Sequence, residues 1–269
     1  MRAGLRRAAA GRAAWALAGL AAAVVGLPPL AVLLYALCQR WDRSLWPEGA
    51  TLDWFASLAA DPRVAAATAR TLGVALASAS LATLLGGAAT LAARLYSPRL
   101  LGWLDLLAQL PYAIPPVVVA IAALEIFVGR WGGVIDTRLL YVGLLVPLSF
   151  PLVHRTLGAA LNRIDVTPLL EAGRTLGAAD GHTLRRVLLP LLGPALAAAF
   201  LLALSAAALE FAIANLLLGG GTELLQPLMN SLRVSSGHRA AALIVLSFVL
   251  VGAVTALVQW LSAPPRRRP

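Results

Sequence analysis

Residues 171–190 read EAGRTLGAADGHTLRRVLLP, a polar stretch between two strongly apolar segments. The stretch holds two carboxylates, three arginines and a histidine, in a chain of which only 13% of residues are charged. Gly177 is suited to ending one helix in a left-handed conformation. A second short helix is expected through residues 183–187, with Pro190 stopping it. The pattern predicts a polar helix–turn–helix joining two membrane-embedded segments.

The flanking sequence is dominated by long apolar segments. Hydrophobic residues make up 60% of the 269-residue chain, and apolar runs of about 20 residues are the signature of transmembrane helices. Small residues such as Gly86 and Gly87 in the second run favour close helix packing. Spans are predicted at about residues 13–37, 71–93, 101–128, 139–161, 191–218 and 240–261. We therefore expect an all-α polytopic membrane protein with six transmembrane helices, in which one domain occupies residues 13–263 between tails at 1–12 and 264–269.

The charge distribution predicts the orientation. The net charge is +10, and all 22 basic residues are arginine. Fourteen of them fall on the side that carries both predicted termini and residues 171–190, and eight on the other. The richer side is expected to be cytoplasmic. Because the arginines flank apolar segments and form no continuous stripe, the expected partner is the lipid bilayer and not nucleic acid.

Several kinds of chemistry are excluded or disfavoured by composition. Without lysine, the chain cannot build a P-loop, so ATP hydrolysis has to take place on another protein. Cys38 is the only cysteine, and the three histidines are scattered in sequence. A metal site is therefore not expected. The same residues argue against a polytopic membrane enzyme, and no catalytic residue is assigned.

The central stretch resembles the EAA loop of ABC importer permeases, E-A-A-x3-G-x9-I-x-L-P. The matching residues are Glu171, Ala172, Gly173 and Gly177, followed by Val187, Leu189 and Pro190, with both spacings kept. Gly173 replaces the second alanine and Val187 replaces isoleucine. The resemblance implies a type I (MetI-like) permease bundle with a cytoplasmic coupling helix, in a coupling segment at residues 163–190.

The resemblance also implies partners and roles. Glu171 and Gly177 would contact an ATPase subunit, and Ala172, Gly173, Arg174, Asp180, Val187, Leu189 and Pro190 would complete the coupling segment. Two ABC ATPase subunits would bind ATP and Mg²⁺, and this chain would hold no cofactor. A second permease subunit, homologous or identical, and an extracytoplasmic solute-binding protein would complete an importer of the bacterial inner membrane.

Three further stretches are similar to the permeases for spermidine/putrescine, ferric iron and 2-aminoethylphosphonate. They are residues 109–118 (QLPYAIPPVV), residues 37–42 with 51–55 (LCQRWD and TLDWF), and residues 205–215, which contain Glu210. The resemblance implies a small charged solute. Polyamine or 2-aminoethylphosphonate is favoured, and iron and thiamine remain open.

Polar residues inside the spans are candidates for the translocation path, because charged groups in a membrane are costly. The candidates are Glu210, Asn215, Glu125, Tyr112 and Pro115. The carboxylates could instead serve interhelical hydrogen bonds, and the prolines at 111, 115 and 116 could either unwind the third span or only kink it. His154 and Arg155 are interpreted as interfacial anchors. A proton-coupled secondary transporter that uses Glu125 and Glu210 is the competing function.

Overall fold

The structure is a computed structural model that describes residues 2–42, 44–130, 134–218 and 224–262. The first elements are α1 (Arg2–Leu37), β1 (Cys38–Arg40), β2 (Glu48–Ala50), α2 (Asp53–Ala59), α3 (Pro62–Tyr96), α4 (Pro98–Leu107), α5 (Leu110–Ala113), α6 (Pro116–Ala123) and a π-helix (Leu124–Arg130). The others are α7 (Thr137–Arg163), α8 (Val166–Thr175), α9 (Asp180–Thr183), a second π-helix (Leu184–Leu188), α10 (Leu189–Ala208), α11 (Ala212–Leu217), α12 (Leu225–Ser235) and α13 (Gly237–Ser262).

Five helical stretches of the described chain are long and apolar enough to cross a membrane, and a bent helix pair brings the number to six. The five are Ala14–Leu37, Pro62–Tyr96, Thr137–Arg163, Asp180–Ala208 and Gly237–Leu257. The prediction of an all-α, six-span protein is confirmed. Helix α1 already begins at Arg2, within the predicted N-terminal tail. The predicted C-terminal tail, 264–269, lies outside the described residues.

The third predicted span is broken into two helical pieces. Arg99–Ala113 and Pro116–Arg130 meet at 90°. Ile114 between them is extended, at φ −107° and ψ 118°, and Pro115 follows it. The residue before a proline is driven out of the helical region by the pyrrolidine ring, so the break follows directly from local sequence. Of the two alternatives left open by the sequence, an unwound span or a kinked one, the structure has the unwound span, with a break at Ile114.

The fifth predicted span differs from the expectation at both ends. Pro190 was expected to stop a short helix, yet helical structure continues from Asp180 to Ala208. A π-helical turn at Leu184–Leu188 precedes α10, and Pro190 lies in the first turn of α10, where a missing N–H is tolerated. At the other end, α10 stops at Ala208 and α11 is a separate helix. Glu210 therefore lies in a break and not within a helix.

The chain divides into two compact units, and the larger comprises Arg63–Leu228 with Leu250–Pro269. Its core is formed by buried side chains of α3, α6, α7, α10 and α11, including Tyr141, Leu145, Val153, Leu204 and Ile213. Helices α3 and α7 approach closely at Gly86, where an added Cβ would lie 3.0 Å from Phe150 Cδ2. The small residues predicted to allow close helix packing therefore do so here.

The smaller unit comprises Met1–Pro62 with Met229–Val249. Strands β1 and β2 pair antiparallel, with Cys38 opposite Ala50. The His238 ring stacks between the rings of Tyr35 and Trp54, at centroid distances of 4.0 and 5.2 Å. Arg239 forms an ion pair with Asp61 at 3.1 Å. These contacts fasten the start of α13 to the end of α1 and to α2.

Cys38 is enclosed in this unit, with only 2% of its surface exposed. Its Sγ donates to the Tyr35 carbonyl oxygen at 3.4 Å, and burial raises the pKa of the thiol. Since the thiolate is the reactive form, we expect slow alkylation by a maleimide at neutral pH and faster alkylation as the pH rises. Mass spectrometry of the labelled protein measures this, with the exposed thiol of a Cys38→Ser, Ala56→Cys variant as the control. Equal rates at the two positions would contradict the buried position of Cys38.

Candidate functional site

The turn between α8 and α9 is built around Gly177, whose φ is +80°. The N–H of Ala178 donates to the Gly173 carbonyl at 2.9 Å, and the N–H of Gly177 donates to the Arg174 carbonyl at 2.9 Å. This pair of bonds is the Schellman arrangement, which satisfies carbonyls at a helix C-terminus and needs a left-handed residue after it. The prediction that Gly177 ends this helix in a left-handed conformation is confirmed.

An ion pair bridges the turn from α8 to α9. Arg174 Nε and Nη2 donate to the two oxygens of Asp180, each at 2.7 Å. The hydrogen bonds and the charge of Asp180 raise the pKa of Arg174, so the guanidinium stays charged. A two-point contact of this kind sets direction as well as distance, although a solvent-exposed pair adds little stability. The pair therefore connects α8 to the start of α9 across the turn.

Gly173 on α8 faces the side chain of Thr183 on α9. A Cβ added at this position would overlap the Thr183 side chain. Thr183 is buried, with 4% of its surface exposed. The EAA pattern has alanine where this chain has Gly173. The replacement has a steric reason, because Thr183 occupies the space that an alanine methyl group would need.

Helix α8 has one buried face and one open face. Val166 and Leu170 pack with Leu161, Leu188 and Leu192 in a small apolar cluster that joins the end of α7 to the start of α10. The residues exposed on the other side are Thr167, Pro168, Glu171, Ala172, Thr175 and Leu176. Leu176 is 87% exposed, a large value for an apolar side chain at a helix end. We call this set the outer face of α8.

The residues predicted for the coupling segment are thus divided among different environments. Glu171 and Ala172 are on the outer face, while Arg174, Asp180, Gly173 and Gly177 shape the turn. Val187, Leu189 and Pro190 are exposed. The buried residues between them, Thr183 and Leu188, were not singled out from the sequence. The apolar spacing of Leu184, Leu188 and Leu192, four residues apart, was the signal that could have indicated a buried face.

A cavity of about 610 Å³ opens beside α8. The cavity is lined by residues from the ends of α3 and α7 and from α8. The polar and charged residues that line it are Arg94, Asn162, Arg163, Asp165, Thr167, Glu171 and Arg174. Glu171 therefore stands at the boundary between this cavity and the outer face of α8.

The carboxylate of Glu210 caps helix α11. It accepts hydrogen bonds from the N–H of Ile213, at 2.9 Å, and from the N–H of Ala214, at 3.0 Å. The hydroxyl of Tyr141 donates to it at 3.4 Å. These donors are backbone groups at the start of a helix and a phenol on α7, and they explain how a carboxylate is held in this break. Capping from a glutamate three residues upstream was not foreseen from the sequence.

The other candidates for the translocation path are spread over the third span and α11. Pro115 lies at the 90° break, and Tyr112 precedes it with the Arg155 guanidinium 5.2 Å from its ring centroid. Glu125 is exposed in the π-helix that follows α6, and Asn215 is half-buried in α11, which packs against α6. No hydrogen bond or ion pair joins Glu125 to Glu210 in the described ranges. Their assignment to a solute path stays a prediction.

His154 is not the interfacial anchor that was expected. It is buried, with 4% of its surface exposed. Its Nδ1 lies 2.8 Å from Thr90 Oγ1 and its Nε2 lies 2.8 Å from Asp105 Oδ1. An imidazole has two polar edges, and here both are satisfied by neighbouring helices and not by an interface. Arg155, one residue on, is exposed.

Comparison with known sequences identifies one family over most of the chain. Residues 62–267 match the family described as binding-protein-dependent transport system inner membrane component. The spermidine/putrescine transport system permease protein PotC of Escherichia coli strain K12 is 30% identical over 213 residues, which cover 76% of this chain and 78% of that protein. A probable sulfate transport system permease protein, cysT of Nephroselmis olivacea, is 28% identical over 280 residues, covering 94% and 90%.

Solved structures of ABC transporters have the same fold. A bacterial ABC transporter involved in the import of the acidic polysaccharide alginate matches with a TM-score of 0.74, at 18% identity and 96% coverage of both chains. The MetNI methionine ABC transporter in an inward-facing conformation matches with a TM-score of 0.57, at 19% identity, over 79% of this chain and 95% of that one. At these identities the likeness concerns the fold, and it agrees with the MetI-like bundle expected from sequence.

Proposed function

This chain belongs to the family of binding-protein-dependent transport system inner membrane components, and we propose that it forms half of the translocation path for a small amino-bearing solute, driven from residues 163–190. It is a multi-pass ABC importer permease subunit of the inner membrane.

The observation that carries the proposal is the outer face of α8. Helix α8 is joined to α9 by the turn at Gly177, the Arg174–Asp180 ion pair and the close approach of Gly173 to Thr183. Its open side presents Glu171 and the exposed Leu176. A short helix with an exposed apolar and acidic surface suits docking into a cleft of another protein.

The expected driving partner is a pair of ATPase subunits that bind ATP and Mg²⁺. This chain has no lysine for a P-loop, so the nucleotide would be held entirely by those subunits. A second permease subunit would supply the other half of the path, and an extracytoplasmic binding protein would deliver the solute. The arginine distribution supports an orientation in which residues 171–190 and both termini face the cytoplasm.

For the solute, we favour a polyamine or an aminoalkylphosphonate. A spermidine/putrescine permease is among the relatives, and Glu210 and Glu125 would attract an amine. Sulfate, which names the other relative, would be repelled by the same carboxylates. Glu210 can contribute even while it caps α11, because backbone donors leave its net negative charge in place.

The test is uptake by the complete complex reconstituted in liposomes, with ATP enclosed on the side of the ATPase subunits. We expect accumulation of labelled spermidine or 2-aminoethylphosphonate that requires ATP. Glu171→Arg should lower uptake at least about tenfold and reduce the amount of ATPase subunit that purifies with the permease, whereas Glu48→Arg, on an exposed strand, should change neither. Uptake that does not require ATP and is driven by a pH gradient would contradict the proposed ATP-driven mechanism. Uptake of sulfate would contradict the proposed class of solute.

The charge of Glu210 can be separated from its capping role. Glu210→Gln keeps an oxygen that accepts from Ile213 and Ala214 but removes the negative charge. We expect normal assembly and a roughly tenfold lower uptake of a cationic solute, since a charged hydrogen bond or ion pair is worth about 1.5–3 kcal/mol. Gel filtration and the uptake assay measure the two effects. Unchanged uptake in this variant would remove Glu210 from the path.

A further inference from the structure

A cavity of about 350 Å³ lies between α3, α4 and α7 in the larger unit, and we call it the α4 cavity. Its lining comes from the last two turns of α3, from α4 and from the last turns of α7. It adjoins the cavity beside α8, with which it shares Arg94, Leu101, Leu161 and Asn162. The α4 cavity therefore lies at the ends of two spans, on the arginine-rich side that is expected to be cytoplasmic.

Two arginines line the α4 cavity without a carboxylate partner. Arg94 on α3 and Arg155 on α7 are both exposed, and in the described ranges neither forms an ion pair or a hydrogen bond. The acidic residue in the lining is Asp105, whose Oδ1 lies 2.8 Å from His154 Nε2 and is not paired with an arginine. Two guanidinium groups with unoccupied donors therefore face one cavity.

The orientation of these donors suits a phosphate group. The Arg155 guanidinium lies 5.2 Å from the Tyr112 ring centroid, and a guanidinium held against an aromatic ring can still donate from its edge. Asn162 contributes an exposed side-chain amide to the same lining. The planar fork of arginine matches the oxygens of a phosphate, and hydrogen bonds between charged groups are the strong ones. The lining therefore offers donors from two helices to one anion.

Small and apolar residues form another part of the lining. Gly158 and Ala159 follow Arg155 on α7, and a Cβ added at Gly158 would meet no atom within 4 Å. Leu101 of α4 and Leu161 of α7 line the cavity as well. The missing side chain at position 158 thus leaves room one turn from Arg155, next to apolar surface. A ligand with an anionic group joined to an apolar part fits this combination.

Helix α4 has the features of a helix at a membrane surface. It buries Leu104 and is followed by the buried Ala108. Its large exposed side chains are apolar, namely Leu100, Trp103, Leu106 and Leu107. Trp103 is 64% exposed, and Tyr96, just before α4, is 67% exposed. Tryptophan and tyrosine are enriched where a membrane meets water, so the exposed side of α4 is expected to contact lipid beside the α4 cavity.

We propose that the α4 cavity binds the head group of an anionic phospholipid. The phosphate accepts hydrogen bonds from Arg94, Arg155 and the Asn162 amide, and the acyl chains lie along the exposed apolar residues of α4. Basic pockets between transmembrane helices on the cytoplasmic side bind anionic head groups in other membrane proteins. A phospholipid is favoured over a free phosphate because it uses both the arginines and the apolar surface beside them. The lipid is a bound partner and not the transported solute.

The charge requirement is tested by native mass spectrometry of the full-length chain in detergent, with added dioleoylphosphatidylglycerol or dioleoylphosphatidylcholine. We expect the anionic lipid to bind more tightly. Arg94→Gln or Arg155→Gln should weaken its binding about fivefold, and the double variant roughly twentyfold. Arg99→Gln is the matched control, because Arg99 is exposed on α4 but does not line the cavity. Equal binding of the two lipids, or unchanged binding in the double variant, would overturn the proposal.

The position of the site is tested without changing any charge. Gly158→Phe should fill the α4 cavity and prevent lipid binding, whereas Gly143→Phe, at an exposed and equally open position of the same helix, should not. A ligand that binds the folded protein stabilises it, so phosphatidylglycerol should raise the thermal unfolding temperature of the unmodified chain and of Gly143→Phe. It should leave that of Gly158→Phe unchanged. An equal rise in both variants would show that the lipid binds elsewhere.

Two further measurements separate a lipid from other occupants of the cavity. Inorganic phosphate in excess should not displace phosphatidylglycerol, and displacement would assign the site to a soluble anion. In proteoliposomes of the complete complex, photoactivatable phosphatidylglycerol should cross-link within residues 94–107 or 154–162. Cross-links confined to other segments would mean that another subunit covers the cavity, and the proposal would be wrong. If the complex takes up no tested solute, the proposed function fails while the lipid measurements stand.

Discussion

Replacing Gly177 with valine is expected to abolish ATP-driven uptake while the protein still inserts in the membrane. Gly177 has a φ of +80°, a conformation that costs an L-residue roughly 1–2 kcal/mol and a β-branched residue more. No atoms crowd a Cβ at this position, so the effect would come from the backbone and not from a clash. A valine would shift the turn out of the left-handed region, break the two Schellman bonds and turn the outer face of α8 away from its partner.

The matched control is Gly177→Asn, because asparagine tolerates the left-handed conformation. It should retain most of the uptake. Both variants are compared by ATP-driven uptake in proteoliposomes and by the amount of ATPase subunit that purifies with them. If valine and asparagine reduce uptake equally, the side chain itself disturbs the docked partner and the conformational argument is wrong. Normal uptake with valine would mean that the turn can change shape without consequence.

Gly173→Ala is expected to have the second large effect, although it restores the residue that the EAA pattern has at this position. The added methyl group would overlap Thr183, which is buried. Overpacking of this kind costs about 1–3 kcal/mol. We expect a lower thermal unfolding temperature of the purified protein and reduced uptake, because α8 and α9 are forced apart.

A second substitution should reverse this loss. Thr183→Ala removes the hydroxyl and methyl groups that the new Cβ would meet, so the double variant Gly173→Ala, Thr183→Ala should recover stability and uptake. Thr183→Ala alone should have a small effect. A double variant that is no better than Gly173→Ala would show that the contact with Thr183 is not the reason for glycine at position 173.

Local sequence was sufficient for much of the fold. The six apolar segments are predictable because a helix must bury about 20 apolar residues to cross a bilayer. The break in the third span follows from the prolines at 115 and 116, since a proline acts on the residue immediately before it. The left-handed turn at Gly177 is predictable for the same reason: the conformation belongs to one residue and its neighbours.

Local rules failed where helical geometry changed within a span. Pro190 was expected to end a helix, yet helical structure continues from Asp180 to Ala208, with a π-helical turn at Leu184–Leu188 and Pro190 in the first turn of α10. The fifth span was expected to run without interruption to residue 218, and it ends at Ala208. Both places lie within mostly apolar stretches despite Arg185, Arg186 and Glu210, and composition alone carries no information about the hydrogen-bond pattern of the backbone.

The sequence by itself determined that this chain is a six-span permease with a polar helix–turn–helix in its second half, because spans, prolines and a left-handed glycine act through neighbouring residues. Only the tertiary structure decided what the buried polar groups do. Tyr141 and Glu210 are 69 residues apart in the chain, and His154 meets partners 64 and 49 residues away. Such contacts depend on how helices pack, and a buried imidazole or carboxylate takes whichever partner the packing places within hydrogen-bond distance.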